Sequence, residues 1–175
     1  MQCGVDFIIS AVEVMEQIEP RCSPSGHVVR WSKIKAKAAA EKWKRGLILA
    51  ADTVVVCGRH ILGKPADRRH ARRLLESLSG KTHTVYSGMT LLAMPQGGMV
   101  YGWCTTRVRF HHLSTRVIEE YLCTGEPLDK AGAYGIQDTG RHLVSEITGP
   151  LDNVVGLPVG RLVQLIERLK AKSIR

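Results

Sequence analysis

The stretch Asp129-Lys130-Ala131-Gly132-Ala133-Tyr134-Gly135-Ile136-Gln137 sets an acid, a base, two glycines and a carboxamide side by side, with little apolar surface to build a core. Glycine permits backbone turns and close approaches that other residues forbid. Gln137 offers both donors and acceptors toward a polar ring edge. A segment of this kind is shaped for contact with a ligand, although by itself it is equally compatible with a well-ordered loop. Asp52 is the next candidate. It interrupts the apolar runs Leu47–Ala51 and Val54–Val56, and a carboxylate inside such a strand costs several kcal/mol unless it is paired, hydrogen-bonded or bound to a metal. The alternative is an aspartate that caps a neighbouring loop.

Lys64 precedes Pro65, which favours extended backbone, and a lysine point charge suits a phosphate. If the intervening strand folds back, Lys64 returns to the neighbourhood of Asp52; otherwise it is an exposed loop lysine. Glu13 and Glu16 lie one turn apart if that stretch is helical, and carboxylates around a cleft hold Mg²⁺ or Mn²⁺. Lys35 is read as lying on a different helical face from Trp31 and Ile34, directed into a cleft or into water. His83, His111 and His112 have no metal-ligand spacing and are taken as strand or turn residues.

These residues need elements to position them. Phe7-Ile8-Ile9 with Ala11-Val12 reads as a strand. Ser23-Pro24 is a helix entry, and Val28 to Trp43 a helix whose apolar face is Val28, Trp31, Ile34 and Ala38. The runs around Asp52-Thr53 suit a strand buried on both faces. Gly58-Arg59 turns into a short strand at Ile61-Leu62, and Asp67 caps a helix that Gly80 stops. Thr82 to Met94 and Met99 to Phe110 form a hairpin. Ser114 caps a short helix, His142 to Ile147 is a strand, and a last helix runs from Gly160 to Lys172. Helices and strands interleave, so the class is α/β with a mixed sheet.

The chain has 175 residues and a net charge of +9, with 44% hydrophobic and 23% charged residues and no apolar run long enough to cross a bilayer. The N-terminus lacks the order of a secretory signal, and the protein is read as cytoplasmic. The five cysteines (Cys3, Cys22, Cys57, Cys104 and Cys123) are scattered and odd in number, which fits reduced, mostly buried thiols better than a disulfide framework. The charge calls for a polyanionic partner. Arg68-Arg69-His70-Ala71-Arg72-Arg73 is read as a solvated helix face rather than a nucleic-acid site, since stacking aromatics are scarce.

The order of the pieces carries a resemblance. Ala51-Asp52-Thr53-Val54-Val55, Leu62-Gly63-Lys64-Pro65, Leu78-Ser79-Gly80-Lys81-Thr82-His83, Gly125-Glu126-Pro127-Leu128 continuing through Gln137, and Asn153-Val154-Val155-Gly156-Leu157-Pro158 resemble the Maf family of nucleoside triphosphate pyrophosphatases, from about Phe7 to the last helix. The resemblance implies an elongated mixed β-sheet flanked by helices, with a cleft between two lobes, as in inosine triphosphate pyrophosphatase-like folds. It also implies hydrolysis of a nucleoside triphosphate between its α and β phosphates. On it, Asp52 is the proton-accepting aspartate, with Lys64 and Glu16 as further catalytic residues. Thr53, Gln137, Lys35 and Lys130 are substrate-binding, and Asp52 and Glu16 hold a divalent cation, Mg²⁺ or Mn²⁺. Tyr134-Gly135-Ile136-Gln137 looks like the branch acting on dTTP and UTP. The expected partner is the nucleotide, with no nucleic acid and no membrane, and a homodimer is left open.

The family's pattern starts earlier, with an apolar strand and a Ser-x-Ser-Pro-Arg-Arg loop. Residues 1–175 are therefore expected to be one Maf-like domain, N-terminally truncated, with activity reduced by about two orders of magnitude or more if each lost charge-assisted contact is worth roughly 1.5–3 kcal/mol. Two rival readings are a non-catalytic nucleotide-binding or regulatory homologue, and a nucleic-acid-binding domain driven by the basic helix.

Overall fold

The structure is a computed structural model and describes residues 6–15, 17, 22–96 and 98–173. Helix α1 (Pro24–Lys42) begins where Ser23 accepts a hydrogen bond from the amide of Gly26 and Pro24 occupies the first turn, an entry that satisfies an orphan donor and needs no amide at the proline. Strand β1 (Gly46–Cys57) turns at Gly58 into the short β2 (His60–Leu62). Asp67 caps α2 (Arg68–Leu78) through its side chain to the amide of His70. The hairpin of β3 (Thr82–Met94) and β4 (Gly98–Phe110) forms as its turn chemistry predicts. Ser114 caps α3 (Thr115–Cys123). Three short 3₁₀ turns then lead to β5 (Val144–Thr148), α4 (Leu151–Val155) and α5 (Val159–Ser173).

The sheet order is β2-β1-β3-β4-β5, and every pairing among the described residues is antiparallel. The α/β class holds, but the parallel pairing of a mixed sheet is not found in these strands. β3 and β4 are joined by a tight turn, and such a turn reverses direction, whereas parallel neighbours need a long crossover.

Because side chains alternate along a strand, β3 sorts the helices onto two faces. Gly88 and Thr90 face α1. A Cβ at Gly88 would stand 2.5 Å from the carbonyl carbon of Val28, so the missing side chain is what lets α1 lie on the sheet. The hydroxyls of Ser32 and Thr90 meet there at 2.8 Å. His83, Val85, Met89 and Leu91 face the other way. Val85 joins a core with Leu75, Leu78, Phe110, Ile118, Tyr121 and Tyr134, while Met89 and Leu91 pack with Val100, Leu165 and Leu169 of α5.

Several expectations change. Phe7, Ile8 and Ile9 form no strand and are largely exposed, since an apolar run becomes a strand only where a sheet edge accepts it. Glu13 stands in irregular backbone, so the helical condition for its spacing from Glu16 is not met at that residue. The buried face of α1 is His27, Val28, Trp31, Ser32, Ala36 and Ala39, which leaves Ile34 and Ala38 at its margin. β1 is buried mainly in its second half. β2 pairs with it only at Val55, Val56 and Cys57, so among the described residues Gly46–Val54 is a sheet edge. Within the basic run, Arg68 and Arg72 both turn to Glu119 of α3, tying two helices together instead of facing water alone. Cys22, Cys57 and Cys104 are half-buried and Cys123 exposed, all as free thiols.

Candidate active site

A cavity of about 670 Å³ wraps the edge of β1, and its walls carry Lys35, Asp52, Thr53, Lys64, Lys130 and Gln137. Six of the seven site residues expected from the sequence therefore share one hollow. The seventh, Glu16, lies outside the described residues. The wrap-around shape follows from the strand. Consecutive residues point to opposite faces, yet Asp52 and Thr53 both reach the cavity because it spans the edge that separates those faces.

On the α1 face, Asp52 is almost completely buried, and the ammonium of Lys35 donates to its Oδ1 at 2.7 Å. The expectation that a carboxylate in an apolar strand must have a partner holds, but the partner comes from α1 and not from the Lys64 loop. Lys35 is one helical turn beyond Trp31 and follows it toward the sheet, in place of the separate face expected. A residue four positions on is an axial neighbour.

Lys64 instead donates to Asp129 at 2.9 Å, with Lys130 3.5 Å from the other oxygen of the same carboxylate. The Lys64 ammonium holds the Asp129 carboxyl below the usual carboxylate range. These groups are largely exposed, and ion pairs of that kind are weak, so both ammoniums can exchange a carboxylate oxygen for a phosphate oxygen.

Backbone geometry holds the glycine-bearing loop against the strands. Gly132 has φ +69°, and its amide donates to the carbonyl of Gly63 at 3.0 Å. A Cβ there would lie 2.9 Å from a methyl of Val55. Two segments far apart in sequence are thereby joined beside the cavity. The amide of Gly135 donates to the Tyr121 hydroxyl at 3.0 Å, and burial raises that phenol above its usual range. Tyr134, also raised by burial, meets His83 Nε2 at 2.8 Å through its hydroxyl. Burial pushes the His83 imidazole down to about 4, so it is neutral near pH 7. Its ring packs edge-on against Phe110 and Tyr134. His83 is thus more than a plain strand residue: it anchors the segment that ends in Gln137.

On the other face of β1, the hydroxyls of Thr53 and Ser87 are 2.8 Å apart, and Ser87 donates to the carbonyl of Asn153 at 2.8 Å. Asn153 is wholly buried and donates to the Val85 carbonyl and the Thr106 hydroxyl. This network seats α4, which the sequence reading missed as an element.

Sequence reasoning also missed His27, Glu126 and Asp138 as cavity residues. The cap at Ser23 places His27 in the first turn of α1, and Glu126 accepts from the Thr139 hydroxyl. The Ser23 cap was a visible signal for His27, and Glu126 stood within the motif that runs from Gly125 to Gln137. Among the described residues, no group of three or more His, Cys, Asp or Glu side chains could hold a metal ion, and no helix is long and apolar enough to cross a membrane.

The arrangement brings together a buried carboxylate able to accept a proton, several ammoniums, and hydroxyl and amide groups able to read a polar ring. A sequence model of the family described as "Maf-like protein" matches residues 1–169. The dTTP/UTP pyrophosphatase of Moorella thermoacetica is 43% identical over 163 residues, covering 93% of this chain and 84% of its own length. The dTTP/UTP pyrophosphatases of Dictyoglomus thermophilum and Bacillus cytotoxicus are 40% and 42% identical, covering 95% and 94% of this chain and 86% and 85% of theirs. A match of this extent makes this chain a member of the Maf family.

Proposed function

We propose that the chain hydrolyses pyrimidine nucleoside triphosphates, UTP and dTTP, to the monophosphate and pyrophosphate. One observation carries the reading: Asp52 with Lys35, Lys64 with Lys130, and Thr53 with Gln137 all open onto a single cavity. Its volume of about 670 Å³ falls within the roughly 300–1,000 Å³ typical of small-molecule sites. The names carried by relatives at about 40% identity support the substrate class.

A triphosphate carries roughly four negative charges, and cleavage adds charge to the departing pyrophosphate. Lys64 and Lys130 bind those oxygens at the mouth. Asp52 orients and deprotonates the attacking water, held in place by Lys35. Gln137 and Thr53 read the base. Asp52 and Glu16 would hold a divalent cation, since Mg²⁺ is a hard ion commonly bound through one or two carboxylates. When bound, it neutralises charge on the phosphate chain. We place the activity in the cytoplasm.

The test is release of pyrophosphate from UTP and dTTP with Mg²⁺ or Mn²⁺, compared between the native protein and Asp52→Asn. The variant should lose about 10²–10⁴-fold in kcat, the range general-base catalysis supplies. Equal rates would remove Asp52 as the base. Tight nucleotide binding without turnover in the native protein would favour the non-catalytic reading.

A further inference from the structure

Ser87 is fully buried on β3, and its hydroxyl oxygen lies 2.8 Å from two other oxygens, the Thr53 hydroxyl and the Asn153 carbonyl. A carbonyl can only accept, and a serine has one proton to give. If that proton went to Thr53, the Ser87 and Asn153 oxygens would face each other at 2.8 Å with lone pairs opposed. The proton therefore goes to Asn153, and Thr53 must donate its own proton to Ser87. What Thr53 then presents to the cavity is lone pairs. A residue that is chemically both donor and acceptor has been fixed as an acceptor.

The donors of a nucleoside triphosphate are the N–H groups of its base and the O–H groups of its sugar; the ionised phosphates offer none. A fixed acceptor belongs beside the nucleoside and away from the phosphate chain. The walls agree. The Thr53 side of the cavity carries Val55, Val154 and Gly156, and a Cβ at Gly156 would sit 3.4 Å from the Thr53 oxygen, so bare backbone and apolar side chains border a space for a flat ring. The ammonium of Lys35 lies on the opposite, α1 face of the strand.

We propose that Ser87 is a specificity-determining residue, which locks Thr53 as the acceptor for the ring N3–H of uracil or thymine and so disfavours cytosine, whose N3 presents a lone pair. This rests on the proposed triphosphatase reading and deepens it. Without the Ser87 hydroxyl, Thr53 can turn its proton into the cavity and serve either base.

The experiment measures kcat/KM for UTP and CTP in the native protein, Ser87→Ala, Ser87→Thr, Thr53→Val and the double variant Ser87→Ala/Thr53→Val. Ser87→Ala should lower the UTP-to-CTP ratio by about tenfold or more, partly through a gain on CTP, because discrimination here rests on one polar contact of fixed sense. Ser87→Thr should keep the native ratio. Thr53→Val should lose discrimination, and adding Ser87→Ala to it should change the ratio no further. Thr53 is only partly buried, so its variant tests the idea even if Ser87→Ala folds poorly. Calorimetric binding of α,β-methylene UTP and CTP gives the same ratios without turnover. Selective binding with no hydrolysis would sink the enzyme reading while leaving this one standing. Equal effects of Ser87→Ala on both bases would overturn the proposal. So would a ratio that responds to removing the sugar 3′-hydroxyl and not to the base, since that would assign Thr53 to the sugar.

Discussion

The ammonium of Lys35, on α1, lies 2.7 Å from the carboxylate of Asp52, on β1, and joins the helix to the one charged residue of an otherwise apolar strand segment. Asp52 is 3% exposed and Lys35 20%, so the pair works with little help from water. Breaking a pair of this kind costs more than its net contribution, because the remaining charge stays buried. Lys35→Met is expected to lower stability by about 1–3 kcal/mol and to reduce turnover. Urea unfolding beside a pyrophosphate-release assay reads both, and an unchanged midpoint would show that Asp52 does not depend on this partner.

Lys64 and Lys130 share Asp129 at the mouth of the cavity. Because these groups are exposed, Lys64→Ala should change stability by less than about 1 kcal/mol. If Lys64 trades Asp129 for a phosphate oxygen on binding, the variant should weaken triphosphate binding by roughly ten- to a hundredfold, the worth of one charge-assisted contact. Titration with a non-hydrolysable triphosphate measures the loss, and native affinity in the variant would remove Lys64 from the site.

His83 makes stability depend on pH. Its folded-state value is pushed down to about 4 by burial, below the ordinary imidazole value near 6.5. The unfolded chain therefore takes up a proton at this position over a pH range where the folded chain does not. The stability contributed by the neutral, buried ring is complete above about pH 6.5 and is lost progressively as pH falls toward 4. Across that window the loss is roughly 3 kcal/mol. His83→Phe keeps an aromatic ring against Phe110 and cannot titrate, so its stability should fall less steeply than that of the native protein over the same range. Parallel curves in denaturant would refute the assignment. The same variant removes the contact to Tyr134, and KM should rise as the segment leading to Gln137 loosens.

Gly132 combines a positive φ with a close approach to Val55. Gly132→Ala meets both obstacles, and the left-handed region alone costs an alanine roughly 1–2 kcal/mol. The variant should unfold at lower denaturant concentration and lose activity, because the Gly63–Gly132 hydrogen bond aligns two walls of the cavity. A fully active Gly132→Ala protein of native stability would contradict the role given to this loop.

Much of the framework was legible along the chain. Caps at Ser23, Asp67 and Ser114, the turn at Gly58 and the long hairpin all formed as read, because each depends on hydrogen bonds made within a few residues. The motif from Asp129 to Gln137 announced itself by composition, and the need of Asp52 for a partner followed from solvation alone. The identity of that partner did not. Lys35 stands on a helix whose buried face is chosen by where α1 lands on Gly88, and periodicity left Ile34 and Ala38 as equal candidates for that face. Ser87 carried no signal at all, since a serine in a strand acquires meaning only when a threonine and a carbonyl arrive beside it. Sequence thus determined which chemical groups are available and which local elements carry them. The sheet order, and the closure of loops across its edge, decided which groups meet and which of them gives the proton, because those contacts join residues that no local rule connects.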